Sequence, residues 1–241
     1  MPDVTTPSAA HWDAFVAAQP NAHILQSAGW LTLKSAFGWS GAHVALTAGD
    51  RILAGAQVLF KPLPFRLGTA AYLGMGPYCS DPALEPALWQ AIDALAKQHG
   101  AALLKWEPGL VPEDAEPDYA ALRFRPSPQT VQPPRTILID LADGEDAILA
   151  RMNQGTRRKI RQSQKAGLRV WEASRDDVTL FTGMMQTTGA RNAFGVHAAE
   201  YYALAYDLFV PGSAALFLAA HEGDPLAGVM AFAAGKTAWY L

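Results

Sequence analysis

The residues most suited to chemistry lie in a basic segment between Arg151 and Arg169. It holds seven Lys and Arg and no Asp or Glu, in a chain of net charge −3. On a helix, Arg157, Arg161 and Lys165 recur every fourth residue, and Arg158 lies three residues before Arg161, so the four share a face. Because guanidinium groups bind phosphate bidentately, this face predicts a site for a polyanion such as a pyrophosphate or a tRNA backbone. A solvated helix face is the alternative.

Composition predicts a folded protein with no general attraction to polyanions. Half of the 241 residues are hydrophobic and 17% are charged, a balance typical of packed domains. Cys79 is the only cysteine, which excludes an intrachain disulfide and fits a reducing compartment. No apolar stretch reaches 18 residues and the first residues lack a signal-peptide pattern. We therefore expect a cytoplasmic protein without a transmembrane segment.

Periodicity places the basic segment among alternating helices and strands. Helices are predicted at 11–18, 27–37, 82–99 and 199–209, and strands at 43–47, 52–60, 69–73 and 101–106. Acidic residues at 143–146 favour a helix start just before the basic segment. Residues 107–135 contain seven prolines and are typical of a loop-rich connection.

The chain also contains an internal echo. Residues 49–55 match 223–228, and residues 68–73 match 235–241, each with one residue of slippage. From this match we infer two tandem units, which we place at 1–142 and 143–241. The alternative is a chance similarity between two hydrophobic hairpins. The second copy stops before it is complete, so we expect a fragment or truncated chain whose last strand has an open edge.

Several stretches together resemble the FemABX family of peptidoglycan-bridge aminoacyltransferases. The most specific is the basic, glycine-terminated segment Asn153–Leu168. Others agree in order along nearly the whole chain: residues 26–34, 72–77, 103–108 and 226–228. The absence of a long helical hairpin between 170 and 215 resembles the branch of the family without a coiled-coil arm.

The resemblance implies an α+β fold of two acetyltransferase-like (GNAT) domains, with mixed sheets flanked by helices and an incomplete second domain. It implies transfer of an amino acid from aminoacyl-tRNA to the peptide stem of a UDP- or lipid-linked muropeptide precursor. Neither metal nor redox cofactor is expected, and the enzyme would work close to the inner membrane surface. The identity of the amino acid, the acceptor position and the oligomeric state stay open.

Carried over position by position, the resemblance implies a set of substrate-binding residues. Lys34 and Arg161 match residues that contact the phosphates of the precursor, and Gly76 and Pro77 match a turn that lines the substrate groove. The remaining candidates are Tyr78, Arg157, Arg158 and Lys165. Where relatives often have an arginine before this turn, the chain has Met75, so one expected basic contact with the substrate is absent. The family's catalytic lysine is expected beyond residue 241.

Two other functions compete with this one. An acyl-CoA-dependent GNAT N-acyltransferase would need a glycine-rich pyrophosphate loop after a strand, and the sequence has none of that type. A non-enzymatic RNA-binding module would interleave aromatic residues with arginines, but residues 153–170 contain no aromatic residue. The scattered histidines form no metal-ligand pattern.

Overall fold

The computed structural model describes residues 2–109, 116–133 and 135–240. The chain divides into two compact units. The first comprises Met1–Gln132 with Phe232–Trp239, and the second comprises Pro133–Ala231 with Tyr240–Leu241. The domain limits proposed from the sequence, 1–142 and 143–241, stay a prediction.

The first unit is built on a mixed sheet. In chain order its elements are β1 (Asp3–Thr5), α1 (Ala9–Ala17), α2 (Ala28–Ser35), β2 (Ser40–Ala48), β3 (Arg51–Pro62), β4 (Thr69–Gly74), β5 (Tyr78–Cys79), α3 (Glu85–Gln98) and β6 (Ala101–Glu107). The strand order is β1-β2-β3-β4-β6, and β5 pairs with β3. Only the β4–β6 pairing is parallel among those whose register is described.

Helix α3 shows why this sheet is covered. Its buried residues Leu88, Ala91, Ile92 and Ala96 recur at i, i+3, i+4 and i+8, so they form one apolar stripe. That stripe is buried in a core with residues of β2, β3 and β4. A second cluster, formed by Trp12, Val16 and others, buries further residues of β2 and β3. The first sheet is therefore covered on both faces.

The described residues that follow form a second sheet of four strands and four helices. In chain order the elements are α4 (Glu145–Arg151), α5 (Gln154–Lys165), β7 (Arg169–Glu172), α6 (Val178–Asn192), α7 (Ala199–Phe209), β8 (Ala214–His221), β9 (Asp224–Ala234) and β10 (Thr237–Tyr240). The strand order is β10-β9-β8-β7. These elements belong to the second unit except for residues 232–239, at the end of β9 and in β10, which belong to the first. Helix α7 packs against both α6 and β8, and the buried side chains there include Phe181 of α6 and Phe209 of α7.

The α+β fold class with sheets flanked by helices is confirmed, and both predicted strand-turn-strand units are present. The predicted helix 199–209 matches α7 in both bounds. Of the proline-rich connection predicted at 107–135, Glu107 is the last residue of β6, and residues 116–133 contain turns but neither helix nor strand. Residues 110–115 and 134 of that prediction, and Leu241 of the internal echo, lie outside the described residues. In the described part of the chain no helix has the length and hydropathy to span a bilayer.

Candidate functional site

The predicted groove turn lies where β4 leaves β3. Strand β4 pairs with β3 from Leu59 to Pro62, whereas β5 pairs with β3 at Ala54 and Gly55. Gln26 fills the interval between these two pairings. Its Nε2 donates to the carbonyl oxygens of Gln57 (3.2 Å) and Gly74 (2.7 Å), and its Oε1 accepts from the Gln57 amide (2.8 Å). The side-chain amide of the buried Gln26 thus makes the backbone hydrogen bonds that a neighbouring strand would make elsewhere in the sheet.

The same buried network continues through the side chain of Gln57. Its Nε2 donates to the carbonyl of Leu25 at 2.9 Å, and its Oε1 lies 2.8 Å from Nε2 of His43. Because Oε1 is an acceptor, the His43 ring must carry its hydrogen on Nε2. Burial lowers the pKa of His43. These buried polar groups therefore connect the segment before α2 with β2 and β3 beside the turn.

Gly76 and Pro77 form the turn itself, joined by a cis peptide bond. The carbonyl of Gly76 accepts a hydrogen bond from Nε1 of Trp106 at 2.6 Å. A Cβ built on Gly76 would stand 3.1 Å from Cδ of Gln26, so a larger residue would crowd the buried glutamine. Glycine here has a packing role, and its role in lining a substrate groove stays a prediction.

Tyr78, the next candidate, is used within the fold. Its side chain is buried, and its hydroxyl accepts from the backbone amide of His23 at 3.0 Å and reaches the carbonyl of Asn21 at 3.5 Å. Burial raises the pKa of Tyr78 to about 12. The hydroxyl stays protonated at neutral pH and fixes the segment before α2; contact with a substrate stays a prediction.

Lys34 lies in the last turn of α2, half-buried among aromatic rings. Its Nζ is 5.9 Å from the ring centroid of Trp30 and 5.5 Å from that of Trp39. Helix α2 begins at Ala28 because the Ser27 hydroxyl accepts from the Trp30 amide at 3.1 Å. Burial, and then repulsion from Lys61, lowers the pKa of Lys34.

The basic candidates lie on α5, as predicted. The helix is capped by Asn153, whose side chain accepts from the Thr156 amide at 2.8 Å, and Gly167 follows its end with a φ of 71°. Arg158, Arg161 and Lys165 are exposed, and among the described residues no carboxylate oxygen lies within 4 Å of their cationic nitrogens. This face can accept an anion from solvent.

Arg157 differs from the other basic residues of α5. Its Nη1 donates to the carbonyls of Ala150 (3.0 Å) and Met152 (2.5 Å), at the end of α4. A cation at that position satisfies carbonyls that have no partner within the helix. Arg157 therefore joins α4 to α5, and sequence spacing alone could not separate it from Arg161.

A second polar cluster was not foreseen from the sequence. The carboxylate of Glu107, at the end of β6, accepts from the Tyr72 hydroxyl (2.8 Å) and from the backbone amides of Val131 (2.7 Å) and Gln132 (3.0 Å). Burial raises the pKa of Tyr72. The cluster ties the proline-rich connection to the ends of β4 and β6, beside the predicted turn.

The fold resembles a solved structure described as the crystal structure of FemX. The TM-score is 0.88 with 20% sequence identity, over 99% of this chain and 79% of that one. At this identity the likeness establishes the fold.

Sequence comparison gives the family. A model of the FemAB family matches residues 8–122 and 118–224, and the chain belongs to that family. It is 31% identical over 228 residues to a lipid II:glycine glycyltransferase of Staphylococcus saprophyticus, covering 89% of this chain and 55% of that protein. The enzyme of that name from Staphylococcus aureus is 30% identical over 220 residues, covering 86% and 52%. The chain spans about half the length of these curated relatives.

Proposed function

We propose that the protein is an aminoacyltransferase that moves an amino acid from aminoacyl-tRNA to the peptide stem of a peptidoglycan precursor. The observation that carries the proposal is the match of both halves of the chain to the FemAB family. The curated relatives are named lipid II:glycine glycyltransferases, so a lipid-linked precursor is the favoured acceptor. Such an enzyme would work in the cytoplasm near the inner membrane surface, where charged tRNA and the precursor meet.

The reaction joins an amine to an ester carbonyl. The neutral amino group of the peptide stem attacks the aminoacyl ester, a tetrahedral oxyanion forms, and the tRNA hydroxyl leaves as the proton passes from nitrogen to oxygen. Positioning of the two reactants supplies much of the rate, and hydrogen-bond donors stabilise the oxyanion. No metal or redox cofactor is part of this proposal.

Both proposed substrates are polyanions, so phosphate contacts are the expected means of binding. Lys34 in the first unit and Arg161 in the second are the residues assigned to the precursor. Arg158 and Lys165 are assigned to the same anion or to the tRNA. Support comes from the exposed basic face of α5 in a chain whose net charge is −3, since a local patch is then required to attract a polyanion.

The proposal is tested by calorimetry with a nucleotide-linked muropeptide. Lys34→Ala and Arg161→Ala should each weaken binding about tenfold or more, because each removes a charge-assisted hydrogen bond to phosphate. Lys97→Ala and Lys159→Ala are the matched controls: Lys97 is exposed and paired with Asp93, and Lys159 lies on α5 and is exposed. Unchanged affinity in both test variants would overturn the assignment.

A further inference from the structure

Lys61 lies beside Lys34, although nothing in the sequence connects the two. It is the next-to-last residue of β3, and its Nζ is 5.4 Å from the centroid of the Trp39 ring. The Nζ of Lys34 is 5.5 Å from the same centroid. Two ammonium groups are thus gathered around one indole, and all three residues belong to the first unit.

The surroundings of Lys61 hold its ammonium in place without neutralising it. Its Nζ donates to the carbonyl of Phe37 at 3.3 Å, and a Cβ on Gly38, where φ is 77°, would stand 3.3 Å from that nitrogen. In the part of the chain that the structure describes, no carboxylate oxygen lies within 4 Å of it. An ammonium has three N–H donors, so two are left for a ligand.

The charges define what the ligand must be. Lys34 and Lys61 are both half-buried, and two like charges close together in a partly desolvated place repel each other. That repulsion contributes to the lowered pKa of Lys34. An anion with two negative groups would relieve it, whereas a single carboxylate would satisfy one ammonium better than two. A diphosphate carries its negative charge on two phosphoryl groups, one for each ammonium.

We propose that Lys61 is a second binding residue for a diphosphate, which Lys34 and Lys61 grip together beside Trp39. The part of Lys61 stands on the geometry around Trp39, whereas the assignment of Lys34 to phosphate, and the identification with the diphosphate of a nucleotide- or lipid-linked precursor, rest on the proposed function. The simple alternative is a structural cation–π contact of Lys61 with Trp39, which stabilises the fold and binds nothing.

The test is a titration of the 241-residue chain with inorganic pyrophosphate, followed by the indole N–H signal of Trp39 in NMR spectra. Lys61→Met keeps most of the apolar stem and removes the charge, and Lys61→Arg keeps the charge. We expect Lys61→Met and Lys34→Met each to weaken pyrophosphate binding about tenfold, with Lys61→Arg close to wild type. Lys97→Met is the matched control and should bind like wild type.

The outcomes separate this inference from the proposed function. Wild-type binding of pyrophosphate that is lost in Lys61→Met supports the site even if the muropeptide precursor does not bind. Failure of wild type to bind pyrophosphate at millimolar concentration, or equal binding by Lys61→Met and wild type, overturns it even if Lys34→Ala abolishes precursor binding. Melting curves of each variant establish that it is folded, and a folded Lys61→Arg that binds no better than Lys61→Met also contradicts the proposal.

Discussion

The two hairpins β2–β3 and β8–β9 share a turn pattern but differ in how they are covered. In β3 every residue from Ala54 to Phe60 is buried, so both faces of that strand pack against other elements. In β8 burial alternates, with Leu216 and Leu218 fully buried and Phe217 42% exposed. The repeat in the sequence therefore predicts the path of the backbone but not the environment of the side chains.

The difference explains where the buried polar network lies. A strand covered on both faces must satisfy its polar side chains inside the protein, and Gln57 and His43 do so through Gln26 and Leu25. A strand with one open face can direct such groups to water. The first unit therefore holds its buried polar side chains in specific hydrogen bonds, whereas the basic helix α5 of the second unit is largely exposed.

The largest expected effect is a loss of stability when adjacent residues of β3 and of β8 are replaced by alanine. Val58→Ala and Leu59→Ala should both lower the free energy of unfolding, by about 2–4 kcal/mol, because both neighbours are buried. In β8, Leu216→Ala should cost as much, while Phe217→Ala should cost about 1 kcal/mol or less because its side chain is partly exposed already. Urea unfolding of the four variants measures this. Equal costs for Leu216 and Phe217 would remove the distinction between the strands.

Loss of the Gln26 amide comes next. Gln26→Leu leaves the Gln57 amide and two carbonyls without partners in a buried place, which should cost about 3 kcal/mol. Gln164→Ala, on the exposed face of α5, is the matched control and should change stability by less than about 0.5 kcal/mol. Urea unfolding of the two variants gives the comparison, and a Gln26→Leu protein as stable as wild type would contradict the role of the network.

The pH dependence of stability tests the burial of polar groups in the first unit. Burial lowers the pKa of His23 to about 4, and its ring lies 4.1 Å from that of Trp239. The unfolded chain takes up the proton first, so the free energy of unfolding should fall as pH drops from about 6.5 to about 4, by up to about 3 kcal/mol, and level off below.

His23→Asn tests this assignment. Its side-chain oxygen can still accept from the Leu25 amide, as Nδ1 of His23 does at 3.1 Å, but it does not titrate. The variant should lose a large part of the slope between pH 6.5 and 4 in chemical denaturation. A slope as steep as that of wild type would assign the effect to another group, such as the buried His43.

The smallest expected effect on stability comes from the N-terminal cap of α5, in the second unit. Asn153→Ala removes the cap of α5 and should cost about 1 kcal/mol, seen mainly as faster amide exchange in the first turn of the helix. Asn153→Ser keeps a capping oxygen and is the control. Unchanged exchange in the alanine variant would mean that α5 is held by the Arg157 contacts with α4 rather than by its cap.

How much of the structure the sequence predicts depends on how far apart in the sequence the interacting residues are. Local signals located α7, α2 and both hairpins, since turns and apolar periods act within a few residues. Helix α6 was not predicted, because its apolar residues alternate with threonines and glycines. The hydrogen bonds of Gln26 with Gln57 and Gly74 span 31 and 48 residues, and no local sequence pattern predicts them.

The candidate site shows the same limit. Spacing placed Arg157, Arg158, Arg161 and Lys165 on one helix, which is confirmed, but only the structure separates Arg157, bonded to the carbonyls of α4, from the exposed ones. Likewise Lys34 could be named from the resemblance, whereas Lys61 is 27 positions away in the sequence and is brought to Trp39 by the pairing of β2 with β3.

The most direct test of the central claim is a thermal-shift measurement of the chain with three ligands in parallel: a nucleotide-linked muropeptide, a charged tRNA and an acyl-CoA. A ligand that binds only the folded state raises the melting temperature in proportion to the logarithm of its concentration over its dissociation constant. The aminoacyltransferase proposal predicts stabilisation by the muropeptide and by the tRNA. Stabilisation by acyl-CoA alone, or by tRNA without the muropeptide, would contradict it.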